Sequence, residues 1–191
     1  MENRQFLIDI SKLTEGERIE MKKLGILTDD SRICDYKFPS IHAERPPVEK
    51  FAVHAPQVLN EAYNYQKPSS FSRALRLELG GYKILIISGT ASVNEEGKAE
   101  YIGDFKAQLW RTFRNLTNLL TAESMSWHDV VRTTCYLRDI ERDYIEFNKI
   151  RTTFYNWLQL DPLPASTGIQ VRLCWESLLV EIELYAIAKI I

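Results

Sequence analysis

From residue 68 onward the spacing of apolar and polar positions names the elements. In "SFSRALRLEL", Leu75, Leu77 and Leu79 fall on one side and Arg76 and Glu78 on the other, the period-two pattern of a half-buried strand. Gly80 and Gly81 follow as a hairpin turn. "YKILIISG" is apolar on both parities and reads as a buried strand, and "VNEEGKAEYIGD" reads as a loop. Asp104 then stands where it can cap a helix. Phe105, Leu109, Phe113, Leu116 and Leu120 recur every three or four residues and make one apolar stripe. Ser126 and Asp129 have capping-box spacing, and "VVRTTCYLRD" alternates as a strand. A second helix is predicted over 142–158, with Phe147, Ile150, Phe154 and Trp157 inward. The chain then runs through "PLPASTGIQVRLCWESLLVEIELYAIA" (162–188), which reads as two strands joined into a hairpin by a short turn.

The order β-β-α-β-α-β-β lets two helices share one face of a single sheet, an α+β arrangement. Apolar residues on both parities of "KILIIS" and "LLVEIELYAIA" require cover for the other face too, from an N-terminal extension or from other subunits. Residues 1–66 form that extension and 67–191 the main domain. Within the extension "FLIDIS" reads as a strand, and "TEGERIEMKKLG" as a helix with a Thr14/Glu17 capping box and a stop at Gly25. "KFPSIHAERPPVEK" holds three prolines and reads as a loop or linker, and "APQVLNEAYNY" as a short helix.

Composition narrows the function. The 191 residues are 45% hydrophobic and 26% charged, the balance of a globular protein. Basic and acidic side chains number 24 and 26, with no basic stripe, so electrostatics give no reason to expect a nucleic-acid partner. No apolar run approaches the ~18 residues of a membrane span, and "MENRQFLIDISKL" has no secretory core, so a cytoplasmic location is expected. Cys34, Cys135 and Cys174 are odd in number and lack CxxC spacing, and His42, His54 and His128 are scattered. Neither a disulfide framework, a metal site nor a cofactor is indicated.

The run "FSRA…ISGTASVNEEG…GDFKAQLWRTFRNLTNLL…WHDVVRTTCYLRDI…FNKIRTTFYNW…PASTGIQVRLC…LLVEIELYAIA" resembles the Rid family, also called YjgF or enamine/imine deaminases, over residues 68–188. The resemblance implies a chorismate mutase-like fold: a mixed sheet with two helices on one face. It implies a homotrimer whose sheets close a central barrel, with ligand clefts between neighbouring subunits. It also implies a reaction, hydrolysis of a small unsaturated carboxylated metabolite such as 2-aminoacrylate.

Carried over residue by residue, the resemblance assigns Glu181 to the pocket glutamate, suited to acid/base work on a water or an unsaturated carbon. Asn148, Ser88 and Gly89 also match, with Thr90 beside them. Three positions depart. Deaminase members read Pro-Ala-Arg, where the arginine grips the substrate carboxylate through paired charge-assisted hydrogen bonds. This chain reads Pro164-Ala165-Ser166, and serine brings no charge. Phe71 stands where many members have tyrosine, and Gly168 where a subgroup has cysteine. "FSRA" and "ISGTASV" look closer to the catalytic half of the chorismatases, which cleave an enol ether; there Arg73 would hold the carboxylate instead.

On this reading Ser166, Gly168, Gln170 and Arg172 share one strand parity and, with Thr167 beside them and Glu181 across the turn, form a pocket wall. Plainer roles stand beside these. Glu181 and Glu183 can belong to a solvated strand face or pair with Arg172. Arg73 can pair with Glu78 or Glu183, Ser166 and Thr167 can satisfy backbone groups, and Cys174 can be a small buried hydrophobe. The alternative to a hydrolase is a trimer that binds a small carboxylate without turning it over. A ribonuclease role has no support from the near-neutral charge.

Overall fold

The computed structural model describes residues 9–35, 48–66 and 68–190. By its internal contacts the chain divides into two compact units, Met1–Pro47 and Val48–Ile191.

In the first unit a single 3-10 turn, Ile10–Lys12, precedes helix α1, Glu15–Lys23. The capping box read from the sequence is formed: the Glu17 amide donates to Thr14 Oγ1 at 3.2 Å, and the Thr14 amide donates to the Glu17 carboxylate at 2.6 Å. Two otherwise orphaned donors are thereby satisfied at the helix start. The helix ends at Leu24, and Gly25 follows at φ +73°, where glycine carries no steric penalty. The strand expected on "FLIDIS" does not form over its described part, because the Asp9 carboxylate accepts the Ser11 amide and closes the 3-10 turn instead. Residues 6–8 of that segment, and residues 37–47 of the proline-rich one, lie outside the described residues.

The second unit is a six-stranded mixed sheet with two helices. The strands are β1 (Lys50–Ala52), β2 (Ala74–Leu79), β3 (Tyr82–Ala91), β4 (Val130–Leu137), β5 (Ala165–Gln170) and β6 (Val180–Lys189), in the spatial order β1-β2-β3-β6-β4-β5. Only β4 and β5 run parallel; the other neighbours are antiparallel. Helices α2 (Phe105–Ala122) and α3 (Ile140–Trp157) connect β3 to β4 and β4 to β5.

The stripe predicted on α2 is the heart of the core: Phe105, Leu109, Phe113, Leu116 and Leu120 are all buried. Burial of each side chain contributes roughly 1.5–3 kcal/mol. Asp104 caps the helix by accepting the Ala107 amide at 3.0 Å. Phe113 stacks on Phe154 of α3 at 4.6 Å between centroids, and Trp127 meets both rings edge-on at 5.8 and 5.3 Å. The Ser126/Asp129 capping box also forms, around the 3-10 turn that carries Trp127.

The structure changes several expectations. The segment 162–188 is not a hairpin. β5 pairs with β4, and β6 is inserted between β3 and β4, so the two strands do not touch as neighbours. Alternating burial on β6 explains its central place: Val180, Ile182, Leu184 and Ala186 face the helices, whereas β5 is exposed throughout. Trp157 is 75% exposed rather than inward: at the last residue of α3 its ring stacks on that of Phe154, 6.2 Å between centroids, and stays open to solvent. "APQVLNEAYNY" supplies only a 3-10 turn, Ala62–Asn64. The leucine face of β2 is not the one under the helices. Arg76 reaches toward α2 and pairs with Glu123 at 3.2 Å, while Leu79 is 61% exposed.

Candidate functional site

A cleft of about 300 Å³ opens where β3, the start of β6 and the segment before β2 meet. A register shift in the β3–β6 pairing falls between Ile87 and Thr90, so Ser88 and Gly89 bulge out of the ladder. Such bulges re-aim the groups beside them. Ser88 is held by its hydroxyl donating to Ser72 O at 2.8 Å and its amide donating to Arg73 O at 3.0 Å. Gly89 lies directly against Glu181: a Cβ there would sit 1.9 Å from Glu181 Oε1. The glycine is therefore the space that the Glu181 carboxylate occupies. Strand parity aims Glu181 away from the helices, since its neighbours Val180 and Ile182 are the buried ones.

Among the described residues the Glu181 carboxylate has no hydrogen-bond or ion-pair partner. Burial pushes its pKa up; the positive charge of Arg73 opposes that shift and Glu183 adds to it. A carboxyl raised by desolvation in a cleft is suited to moving a proton.

Arg73 is the second charged group of the cleft, and it is 6% exposed. Its guanidinium lies over two rings, 5.0 Å from the centroid of Tyr65 and 4.9 Å from that of Phe71. Nε donates to Asn60 O at 3.4 Å, and the Arg73 amide donates to the Glu61 carboxylate at 3.3 Å. No ion pair holds the guanidinium among the described residues; of the two partners weighed above, Glu78 pairs with Arg76 and Glu183 does not pair with Arg73. A cation steadied by rings, with donors left over, can receive an anion. The remaining wall is mostly apolar, including Ala91, Val93, Leu178 and Trp175. No group of three His, Cys, Asp or Glu among the described residues is placed to hold a metal ion.

Residues 66–188 match the family model described as endoribonuclease L-PSP. The chain belongs to this family, the Rid (YjgF) family. A RutC family protein of Pyrococcus abyssi is 26% identical over 102 residues, 53% of this chain and 76% of that protein. A RutC family protein of Aquifex aeolicus is 28% identical over 94 residues, covering 49% and 72%. Among solved structures, yeast Mmf1 superposes with a TM-score of 0.60 at 19% identity, covering 74% of this chain and all of the other. The YjgF gene product of E. coli gives 0.58 at 22% identity, with 73% and 99% covered. E. coli TdcF with bound serine gives 0.59 at 20%, again with 73% and 99% covered. At these identities the structural likeness establishes the fold.

Within this Rid domain the residues singled out from sequence separate into two groups. Glu181, Arg73, Phe71, Ser88 and Gly89 line the one cleft. Thr90 is next to it but fully buried, its hydroxyl donating to Ser88 O at 2.9 Å. The others are elsewhere in the chain. Ser166 and Gln170 face α3: Ser166 Oγ accepts from Arg151 Nη1 at 3.0 Å, and Gln170 Oε1 accepts the Ile140 amide at 3.0 Å. Asn148 accepts from the same Arg151. Thr167, on the opposite parity, accepts from Arg132 at 2.9 Å, and a Cβ on Gly168 would meet only Tyr144 at 3.7 Å. Arg172 lies 3.6 Å from Glu176, exposed, and pairs with neither Glu181 nor Glu183. The single pocket wall expected of 166–172 with Glu181 is thus not built within one chain, because β4 separates β5 from β6.

Cys174, Trp175 and Tyr65 are among the cleft residues not singled out as binding groups. Cys174 is exposed in the cleft wall, not buried; the buried cysteine is Cys135. Trp175 lies beside it in the loop between β5 and β6. Tyr65 is the last residue of the segment read above as a short helix; the segment supplies only a 3-10 turn, Ala62–Asn64, and Tyr65 follows it into the cleft wall.

Proposed function

We propose that this Rid-family protein hydrolyses a small unsaturated carboxylated metabolite, an enamine, imine or enol ether, in the Glu181 cleft. Arg73 holds the carboxylate and Glu181 moves the proton to or from the reacting carbon or water. The observation that carries the reading is a single one: the guanidinium of Arg73, without an acidic partner among the described residues, shares a cleft with an unpaired, partly desolvated carboxylate. Opposite roles for two neighbouring charged groups are a recurrent feature of catalytic sites. That TdcF holds serine on the same fold supports a ligand of amino-acid size and charge.

A homotrimer completes the proposal. The sheet face away from the helices carries Ile84, Val131, Tyr185 and Ile187 around a hollow of about 480 Å³, with Arg132 and Glu183 among them. Cover by two further copies would bury this face, close the cleft at a subunit boundary and bring a neighbour's β5 toward it. A cytoplasmic location follows the same reading; among the described residues no helix is long and apolar enough to cross a membrane.

The second reading, a trimer that binds a small acid without catalysis, is favoured by one observation. Ser166 stands where deaminase members carry arginine, and its hydroxyl is already engaged by Arg151. The test is hydrolysis of 2-aminoacrylate generated in situ, followed as 2-oxo acid release, alongside chorismate turnover and calorimetric binding of L-serine. Acceleration that disappears in Glu181→Gln supports the hydrolase. Serine binding without turnover of either compound supports the binding module. Neither binding nor turnover by a folded protein refutes both.

A further inference from the structure

The cleft contains a polar group that neither the fold nor the proposed chemistry has used. Tyr65 is 8% exposed, and its hydroxyl is fully buried with no hydrogen-bond partner among the described residues. Buried hydroxyls are nearly always paired, because an orphaned one loses its water and gains nothing. The ring has two close neighbours. Gly97, at φ +78°, lies against it, and a Cβ there would come within 2.5 Å of Tyr65 Cε2. The Arg73 guanidinium is 5.0 Å from the ring centroid. Any side chain at position 97 would have to displace the ring, so the backbone there is shaped around it. The ring also lines the same cleft as Arg73 and Glu181. A fixed phenol with an unused O–H beside a cation is a donor waiting for an anionic oxygen.

We propose that Tyr65 is a ligand-binding residue of this cleft, its O–H donating to the carboxylate that Arg73 holds. Resting on the function proposed above, this makes the site a two-donor carboxylate clamp, one donor charged and one neutral, with Tyr65 supplied from outside the matched family region of residues 66–188. Burial raises the phenol's pKa and outweighs the opposing charge of the Arg73 guanidinium, so the phenol stays protonated and able to donate at neutral pH.

Tyr65→Phe removes one oxygen and leaves the ring in place. The expected result is a ten- to hundredfold weaker binding of L-serine, the range for a hydrogen bond to a charged group. In the hydrolysis assay KM should rise with kcat largely kept, the pattern of lost uniform binding. The melting temperature should be unchanged or higher, since the lost oxygen had no partner. Binding of L-serinamide, which lacks the carboxylate, should be the same in wild type and variant. Unchanged serine affinity in Tyr65→Phe, while Arg73→Gln abolishes it, overturns the clamp and leaves the proposed function standing. Equal losses for serine and serinamide, or a lowered melting temperature, show a packing role and also overturn it. No binding of serine and no turnover by wild type overturn both.

Discussion

Gly89→Ala is the substitution that separates the site from the fold. Gly89 is not in the left-handed region, so alanine can adopt its backbone conformation. The added Cβ would sit 1.9 Å from Glu181 Oε1 and 2.9 Å from Cδ, against the 3.0 Å below which real Cβ contacts are essentially absent. Since the bulge backbone is tied at Ser88 to Ser72 and Arg73, the carboxylate is the part free to yield. It must move by at least about 1 Å, and a misplacement of that size can cost on the order of 100-fold in rate. Stability should change little. Replacing glycine restricts the unfolded chain and contributes roughly 0.4–1 kcal/mol, which offsets part of the cost of turning the side chain.

The assay is turnover of 2-aminoacrylate by wild type, Gly89→Ala and Glu181→Gln, with thermal melts of each. Gly89→Ala should lose about as much activity as Glu181→Gln while melting within a few degrees of wild type. Full activity in Gly89→Ala would refute the claim that the carboxylate position set by this glycine matters. A collapse in melting temperature would instead show that the bulge cannot keep its backbone and that the separation of site from fold is wrong.

Three other outcomes follow from the same geometry. Glu181 has its folded pKa raised by burial, so its contribution to stability is fully present below the unfolded carboxylate value and is lost as pH rises through the folded one. Glu181→Gln should therefore melt higher than wild type at neutral pH, by an amount on the order of 0.5–2 kcal/mol, with the gain fading as pH falls to 4; a lower melt at neutral pH would mean the charge is paired. Gln108 is fully buried and joins three backbone groups, donating to Tyr101 O and Ser177 O and accepting the Leu179 amide at 3.2, 2.8 and 2.8 Å. Gln108→Leu strands all three and should cost about 3 kcal/mol in urea unfolding, with near-neutral behaviour refuting their dependence on it. Ile84→Lys places a charge on the sheet face away from the helices, and sedimentation should show a trimer for wild type and a monomer for the variant; a wild-type monomer would contradict the proposed assembly.

What could be read from sequence tracks how local its cause is. The α2 stripe and the Asp104, Thr14/Glu17 and Ser126/Asp129 caps depend on residues three or four apart, and all are present in the structure. Pairing between β5 and β6 depends on what lies between them in space, and period-two alternation carries no such information. Two signals pointed the right way. β6 has one unbroken apolar parity, fit for a central strand, while "ASTGIQ" is polar enough for an edge. Phe71, Arg73, Ser88, Gly89 and Glu181 could be named together because motifs carried them, yet it took the bulge to explain why glycine faces glutamate. Tyr65 lay beyond the motifs, and a buried hydroxyl without a partner is visible only in three dimensions.

Ser166, read against the resemblance as a departure from the deaminase arginine, sits beside another arginine in the structure. Its hydroxyl accepts from Thr133 and from Arg151, each at 3.0 Å, and Arg151 lies over the Phe147 ring with its other arm on Asn148. A positive charge therefore remains at this edge of the sheet, carried by α3 instead of β5. An arginine at 166 would set two guanidinium groups against each other where the structure now holds one. Within the chain's own cleft the cation is Arg73, packed against two rings, with Glu61 on its amide and Gly97 making room for Tyr65. On the function proposed above, the packing around Arg73 fits a carboxylate held from the Arg73 side of the cleft, with Glu181 facing it.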